Sequence, residues 1–514
     1  MTSLPLPRAI APAGHAAEAA AAERAPVRWI ALIAAAAVAL EMAVSARYGY
    51  HRDELYFLAA GQHPAFGYVD QPPLTPLAAR LSALASGNSL IALRLIPALT
   101  FAALVALTAA MSRQLGAGRT GQVLAALATA TCAEFLAAMH LLTTTTPDFL
   151  FWAITMLLAV RLLASSNPRW WLAIGACAGV AAEAKWNIAF LVAALAAGFA
   201  ATPARRLAAS WWLAGGAALA AALAAPDLIW QAAHGWPAFD VFAALQGDAG
   251  HNRLVYWIAQ VIYTGVALTP VWLGGLAWLF RDPAGRRWRP LAIASVVVIC
   301  IFFVLGGKSY YPGGIYTFLF AAGSVPLGRR LAVRPRRHGL RPGVLTGVVM
   351  IAASLLSLPV AVPVLPASTL RAVPLQQINY DLAETIGWQR QVGLVARVYR
   401  GLPPAARART TILTGNYGEA GALARFGPAD GLPAAYSGAN NFWYWGPPPA
   451  RDTSAIAVNV SPALLHRTFT AVRRVATFEN GPGVSDDEEG VAVYVATGLR
   501  TPWRQAWSAF RDFS

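Results

Sequence analysis

Eleven apolar stretches dominate the first 365 residues of the chain. A helix needs about 17–25 apolar residues to cross a bilayer, and stretches of about that size recur at 28–46, 90–112, 120–141, 147–164, 170–183, 186–202, 208–230, 254–280, 290–306, 311–328 and 343–365. Only 12% of the residues are charged, and the mean hydropathy is +0.49. This composition excludes an ordinary soluble protein of 514 residues. The sequence therefore predicts a polytopic α-helical membrane protein with about eleven transmembrane helices.

The distribution of arginine predicts how these helices are oriented. The formal net charge is +16, which in a soluble protein would suggest nucleic-acid binding. Here the basic residues lie in every second short loop, as in cytoplasmic loops of membrane proteins. These arginines are Arg113, Arg119, Arg161, Arg169, Arg205, Arg206, Arg281, Arg286, Arg287, Arg289, Arg329, Arg330, Arg334, Arg336, Arg337 and Arg341. We therefore expect no nucleic-acid partner, a cytoplasmic N-terminus and an extracytoplasmic C-terminal segment.

Three parts of the chain follow from this orientation. We expect residues 1–27 to form a disordered cytoplasmic N-terminus, and residues 28–366 to form the transmembrane domain with a first outer loop at 47–89. Residues 367–514 are expected to form an extracytoplasmic α/β domain. Its predicted strands lie at 410–414, 455–460, 474–478 and 491–496, with helices after residues 415–418 and from Pro462.

Varied polar chemistry is concentrated on the predicted outer side. Only two of the 40 basic residues are lysines, Lys185 and Lys308, and both lie there. Lysine supplies a compact ammonium where a guanidinium does not serve. Most acidic residues of the membrane half also lie there, namely Asp53, Glu54, Asp70, Asp148, Glu183, Asp227, Asp240 and Asp248. This asymmetry predicts a functional site at the outer surface.

The first outer loop carries adjacent carboxylates at the membrane boundary. Asp53 and Glu54 stand near the start of a short predicted helix, and such residues are tolerable when they face a wet cavity. The alternative for Asp53 is a helix N-terminal acid without a chemical role. Asp70 precedes two prolines that suit the first turn of a second, amphipathic helix. Two short helices lying on the membrane surface would place Asp53, Glu54 and Asp70 near one cavity.

Four motifs in this order resemble glycosyltransferase family 39, which includes protein O-mannosyltransferases and lipid A aminoarabinose transferases of the GT-C fold. The first is the outer-loop series Asp53-Glu54, Gly67-Tyr68 and Asp70-Gln71-Pro72-Pro73. The others are Thr146-Pro147-Asp148, Ala184-Lys185-Trp186 and Gly307-Lys308-Ser309-Tyr310-Tyr311. The resemblance covers roughly residues 28–330, and the C-terminal domain adds little to it.

The resemblance implies a transferase that takes a sugar from a polyprenyl-phosphate donor in the outer leaflet and inverts the anomeric carbon. Asp53 corresponds to the base, which fits the need of a hydroxyl nucleophile for a positioned carboxylate. The departing phosphate needs cationic clamping, for which Lys308 is the first candidate and Lys185 the second. Tyr310 and Tyr311 are expected to donate hydrogen bonds or to line the lipid-head pocket, or else to form an interfacial aromatic belt.

Other site roles follow less directly. Glu54 is expected to hold the acceptor, and Asp70 with Gln71 to orient the donor or bind a metal. Some relatives have glutamate–lysine at this second position, so the Asp70-Gln71 pair leaves a divalent metal open. Asp148 is either a binding residue or a helix-start acid. The histidines have no diagnostic metal spacing; they are His51, His63, His234 and His251.

Two further functional classes compete with the enzyme. A transporter or flippase of a lipid-linked sugar also carries polar residues in a helical bundle, although the inverted repeats typical of transporters are missing from the sequence. A non-catalytic relative is the third alternative. The sugar stays open, and so does the acceptor among protein, lipid A, wall polysaccharide and glycolipid. The decisive spatial prediction is that Asp53 and Lys308 face one cleft outside the bilayer, at the surface of a bacterial inner membrane.

Two minor assignments concern residues outside the motifs. Glu41 and Glu134 lie inside apolar stretches, where we expect them to make helix–helix contacts. Trp443, Tyr444 and Trp445 in the C-terminal domain are either a sugar-stacking cluster that binds the acceptor or part of a buried core.

Overall fold

The computed structural model describes residues 25–333 and 341–513. The predicted disordered N-terminus therefore lies almost wholly outside the described residues, as do Arg334, Arg336 and Arg337. The membrane half consists of helices α1 Val27–Val44, α2 Arg52–Gln62, α3 Leu74–Ser86, α4 Leu90–Gln114, α5 Arg119–Ala130, α6 Ala133–Ala138, α7 Thr145–Ser165, α8 Trp170–Ala182, α9 Ile188–Ala200, α10 Arg205–Ala208, α11 Trp211–Ala233, α12 Pro237–Leu245, α13 Ala249–Thr264, α14 Thr269–Arg281, α15 Arg289–Leu305, α16 Tyr316–Ala332 and α17 Pro342–Ala361.

All eleven predicted stretches are helical, but their continuity differs from the prediction. Six helices of the described residues are long and apolar enough to cross a membrane, or seven if a pair bent by 102° counts as one. The break of that pair, at residues 265–268, lies within the predicted helix 254–280 and begins at Gly265, a glycine with φ +93°. The predicted helix 120–141 likewise breaks between α5 and α6. The chain is thus a multi-pass membrane protein, while eleven spans stay a prediction.

Two of the described arginines in the predicted cytoplasmic loops contact a neighbouring loop or helix end. The Arg287 guanidinium donates to the carbonyl of Leu163, with Nε at 2.8 Å from the oxygen. A Cβ built on Gly116 would lie 3.6 Å from the Arg329 guanidinium. Since both contacts join loops on the predicted inner side, the structure is consistent with the alternation of basic loops.

Close packing of two membrane helices depends on glycine. Helices α8 and α11 cross where a Cβ on Gly175 would lie 2.0 Å from the carbonyl oxygen of Gly216. Small residues permit such close approach between helices in a membrane. The crossing therefore tolerates no added methyl group without movement of the backbone.

We expect Gly175→Ala to lower the free energy of unfolding by about 1–3 kcal/mol, because the added methyl group forces the two helices apart. Gly274→Ala in α14 is the matched control, since a Cβ there meets nothing within 4 Å and alanine favours the helix. SDS titration in mixed micelles, followed by tryptophan fluorescence, measures both variants. Equal stability of the two variants would contradict the close crossing.

The C-terminal part forms a mixed five-stranded sheet in the order β2-β1-β3-β5-β4. Its strands are β1 Thr410–Thr414, β2 Ala435–Ser437, β3 Ser454–Val458, β4 Phe469–Thr477 and β5 Ala492–Leu499. Its helices are α18 Thr369–Ala372, α19 Trp388–Arg400, α20 Pro404–Arg407, α21 Tyr417–Phe426, α22 Asn441–Tyr444, α23 Pro462–Thr468 and α24 Trp503–Ala506. Strand β1 pairs in parallel with β2 and β3, and β5 pairs antiparallel with β3 and β4. The predicted α/β character is confirmed; only the short β2 was missed.

The sheet domain packs directly on the first outer loop. A Cβ on Gly421 in α21 would lie 2.9 Å from the carbonyl carbon of Leu55 in α2. Leu55 and Tyr56 share one buried hydrophobic cluster with Ile412 and Val458 of the sheet. Because this core is continuous, the position of α2 depends on the C-terminal domain as well as on the membrane helices.

Candidate functional site

A cavity of about 880 Å³ lies between the membrane half and residues 378–381 of the C-terminal part. Asp53 and Lys308 both line it, together with Tyr310, Tyr380 and Asp381. Its other end is largely apolar apart from Glu134, and is formed by α6, the break between α13 and α14, and α17. The structure therefore brings the predicted carboxylate and ammonium into one cleft.

Asp53 occupies the second position of α2, where its backbone is fixed by a capping box. The Nδ1 atom of His51 accepts from the backbone N–H of Asp53 at 3.2 Å, and Glu54 Oε2 accepts from the backbone N–H of His51 at 2.9 Å. The hydroxyl of Tyr417 donates to Asp53 Oδ1 at 3.0 Å. The Asp53 side chain is 31% exposed. One carboxylate oxygen is thus held, and the side chain still reaches the cavity.

Glu54 faces the opposite way. Its side chain is fully buried and is not among the residues lining the cavity. Arg94 donates to both carboxylate oxygens, at 3.0 and 2.8 Å, and the backbone N–H of Leu142 donates to Oε1 at 3.2 Å. With its oxygens occupied in this way, Glu54 has no free acceptor atom for a substrate hydroxyl and instead anchors α2.

Lys308 and Tyr310 line the cavity, and Lys185 and Tyr311 lie next to Tyr310. The Lys185 ammonium lies 5.5 Å from the Tyr310 ring and 5.0 Å from the Tyr311 ring, and donates to Thr145 Oγ1 at 3.3 Å. Burial lowers the pKa of Lys185, and the nearby charge of Lys308 lowers it further, while Asp148 opposes both. The charges of Lys308 and Asp148 therefore act on Lys185 in opposite directions.

Asp148 is buried at the start of α7 and faces Lys185. Neither of its carboxylate oxygens has a hydrogen-bond partner among the described residues. Its charge is offset by the ammonium, so the structure places Asp148 behind the cavity wall and pairs it electrostatically with Lys185.

Asp70 and Gln71 lie beside the cavity rather than in its lining. The hydroxyl of Tyr56 donates to Asp70 Oδ1 at 2.9 Å, and the ring of Tyr56 lies 5.0 Å from that of Tyr417. Asp70 is exposed, whereas Gln71 is buried with no side-chain partner among the residues described. Two tyrosines thus connect Asp70 to Asp53.

Several lining residues were missed by the sequence analysis. Asp381 comes from the segment after α17. Burial raises the pKa of its carboxyl, but the nearby His51, Lys308 and Arg52 have the larger effect and hold that pKa below its usual value. Glu134 lines the cavity and also packs against the turn before α16, since a Cβ on Gly313 would lie 2.0 Å from Glu134 Oε1. Glu41 does make the predicted kind of contact, since it pairs with His140 at 3.1 Å. Only the polar character of Glu134 inside an apolar stretch could have signalled its role.

The remaining candidates for metal or sugar binding serve as contacts. Within the described ranges, no three His, Cys, Asp or Glu side chains are arranged to hold a metal ion. His63 stacks on Trp445 with ring centroids 4.3 Å apart, and Tyr444 packs edge-on against His234 at 5.2 Å. These half-buried aromatics therefore join the C-terminal domain to the segments that follow α2 and α11. Neither of the two alternatives for the Trp443–Trp445 cluster had predicted such a contact.

Comparisons with known proteins agree with this geometry. Residues 70–230 match the family described as dolichyl-phosphate-mannose-protein mannosyltransferase. The structure of ArnT from Cupriavidus metallidurans bound to undecaprenyl phosphate superposes with a TM-score of 0.52 at 14% identity, over 92% of this chain and 98% of ArnT. The apo structure of the same protein gives 0.52 at 15% identity, over 91% and 98%. No curated protein sequence matches significantly. The chain therefore has the GT-C fold, and the resemblance to glycosyltransferase family 39 that its motifs predicted is confirmed.

Proposed function

We propose that the protein is a glycosyltransferase that moves a sugar from a polyprenyl-phosphate donor to an acceptor hydroxyl at the outer face of a bacterial inner membrane. The observation that carries the proposal is the shared cavity, which is lined by the Asp53 carboxylate and the Lys308 ammonium at one end and by a largely apolar wall at the other. Such a cavity matches a donor with a charged head and a hydrocarbon tail. The similarly folded ArnT was solved bound to undecaprenyl phosphate.

Asp53 is the proposed base. The acceptor hydroxyl transfers its proton to the free oxygen of Asp53 while the hydroxyl oxygen attacks the anomeric carbon. The bond from that carbon to the phosphate oxygen breaks, and the polyprenyl phosphate leaves with the electron pair. Attack from the side opposite the phosphate inverts the anomeric configuration. The hydrogen bond from Tyr417 leaves one Asp53 oxygen for this transfer.

Lys308 and Lys185 are the proposed phosphate clamp. Fixed cations at the site where negative charge develops stabilise the transition state without reorganisation. Lys308 lines the cavity directly, whereas Lys185 lies behind the rings of Tyr310 and Tyr311 and is paired with Asp148. We therefore assign the main phosphate contact to Lys308 and a supporting charge to Lys185.

The apolar end of the cavity is the proposed seat of the polyprenyl chain. Ala353, Leu356 and Val360 of α17 line it, and Leu356 is 84% exposed. An exposed apolar helix face next to a cavity lets a hydrocarbon chain extend sideways into lipid. Asp70, exposed and connected to Asp53 through Tyr56 and Tyr417, lies on the proposed acceptor side.

We expect Lys308→Met to lower the rate of transfer by about 10²–10³-fold, because removing one fixed donor at a developing charge typically has this effect. Lys308→Arg keeps the charge and is expected to recover part of the rate. Purified protein in proteoliposomes is assayed for release of polyprenyl phosphate from labelled mannosyl, glucosyl, arabinosyl and aminoarabinosyl donors. The matched control is Arg253→Met, an exposed cation in the first turns of α13 whose hydrogen bonds among the described residues go to the carbonyl of Val304.

Two outcomes would contradict the proposal. Release of polyprenyl phosphate by Lys308→Met at the wild-type rate would show that Lys308 does not stabilise the leaving phosphate. Passage of labelled sugar lipid across the bilayer without any release by the wild-type protein would favour the transporter alternative.

A further inference from the structure

Three consecutive residues at the start of α2 each contact the C-terminal domain. His51 Nε2 lies 3.6 Å from Asp381 Oδ1. Arg52 pairs with Glu384 at 3.2 Å and with Asp487 at 2.9 Å. Asp53 accepts a hydrogen bond from Tyr417 at 3.0 Å. The segment that carries the proposed base is therefore held from the far side by a domain that begins more than 300 residues later in the chain.

Tyr417 is itself rigidly placed. It is the first residue of α21, whose capping box is formed by Asn416 and Glu419. The Arg52 guanidinium lies 5.5 Å from the Tyr417 ring centroid. A Cβ on the next residue, Gly418, would lie 2.8 Å from the Cβ of Arg52. Tyr417 is thus fixed at its backbone by the capping box and packed against Arg52, and its hydroxyl donates to Asp53.

The phenol is suited to donate. Burial raises the pKa of Tyr417 well above its usual value, and the charge of Asp53 raises it further. The phenol therefore keeps its proton at neutral pH and donates to the carboxylate. A hydrogen bond to one oxygen fixes the rotation of the carboxylate. The second oxygen is then free to take the proton from the hydroxyl of the acceptor substrate.

We propose that Tyr417 is the positioning residue for Asp53, and that the C-terminal domain thereby completes the catalytic site instead of serving only to recruit an acceptor. This inference rests on the proposed function, since it gives the role of Tyr417 in that same transfer step. The ion pairs of Arg52 hold the C-terminal domain against α2, and the hydrogen bond from Tyr417 then fixes the orientation of the Asp53 carboxylate.

The test is Tyr417→Phe in the full-length protein. Loss of a hydrogen bond to a charged group that acts in the transition state is expected to lower kcat about 10- to 100-fold. The KM values for donor and acceptor are expected to stay unchanged, because the base contacts neither substrate strongly before the reaction. Tyr436→Phe on strand β2 is the control, and we expect wild-type kinetics from it.

A second measurement separates positioning from folding. Incorporation of 3-fluorotyrosine at position 417 keeps the hydroxyl donor and is expected to retain at least half of the wild-type kcat. Unfolding temperatures in detergent should agree among wild type, Tyr417→Phe and the fluorinated protein. If Tyr417→Phe does not fold, two fluorinated proteins replace it in the comparison. One carries 3-fluorotyrosine at position 417 and keeps the hydroxyl, and the other carries 4-fluorophenylalanine there and lacks it.

The outcomes are distinguishable from failure of the proposed function. An active wild type with unchanged kcat in Tyr417→Phe overturns the inference alone, and so does a fall in kcat matched by an equal fall in stability. A wild type that releases no polyprenyl phosphate from any donor overturns the proposed function, and the inference falls with it.

Discussion

Replacement of Asp53 by asparagine is expected to lower the rate of sugar transfer by about 10²–10⁴-fold, the usual contribution of a general base. The amide has the same shape as the carboxylate and still accepts the hydrogen bond from Tyr417 through its carbonyl oxygen. It has no lone pair that takes a proton from the acceptor hydroxyl at neutral pH. The effect should therefore fall on kcat, with little change in stability or in donor binding.

Donor binding and turnover can be measured on the same preparation. Binding of the polyprenyl-phosphate sugar is followed by quenching of tryptophan fluorescence, and turnover by release of polyprenyl phosphate. Asp240→Asn is the control, because Asp240 lies in α12 outside the cavity lining, is 55% exposed and, among the described residues, pairs with Arg511 at 3.8 Å. Turnover by Asp53→Asn equal to that of this control would exclude Asp53 as the base.

The part of the site that comes from the membrane half could be predicted because its residues stand in short sequence motifs next to apolar stretches. The lysine–tyrosine segment at 307–311 and the Asp53-Glu54 pair are both local patterns at helix ends. Tyr417 could not be found this way, because it is 364 residues from Asp53 in sequence. A contact of that range depends on how the sheet domain docks, and the residues around Tyr417 carry no local sign of it.

Adjacent residues show a second limit of pattern reading. Asp53 and Glu54 are equally acidic and stand side by side, and both were predicted to face substrate. Successive residues of an α-helix point about 100° apart, so only one of the two can face the cavity. Which one does so is decided by Arg94, which approaches α2 from the membrane side.

The helix breaks show a third limit. Apolar composition continues through Thr131 and through residues 265–268, so hydropathy predicts unbroken spans there. The structure interrupts both helices beside the cavity, where Glu134, Tyr263 and Gly265 reach its wall. Broken helices are tolerated in a membrane where they line a cavity. The amino-acid composition does not indicate where such a cavity lies, so it could not predict these breaks.

The buried pair of Arg94 and Glu54 leads to the second large expected effect. Arg94 also donates to the backbone carbonyls of Ser45 at 2.6 Å and Gly49 at 2.7 Å, and its side chain is only 1% exposed. Arg94→Met leaves the Glu54 carboxylate buried without its counter-ion. We expect this variant to lose about 3–5 kcal/mol of the free energy of unfolding.

The double variant Arg94→Met with Glu54→Leu removes both charges, and it should recover much of that loss because a well-packed apolar pair costs no desolvation. Arg400→Met is the control, since the Arg400–Asp430 pair has the same 2.8 Å distance but side chains 54% and 40% exposed, and such surface pairs contribute about 0–1 kcal/mol. SDS titration gives all three values. A loss in Arg94→Met no larger than in Arg400→Met would mean that the pair does not anchor α2, and the orientation of Asp53 would then have to depend on the C-terminal domain alone.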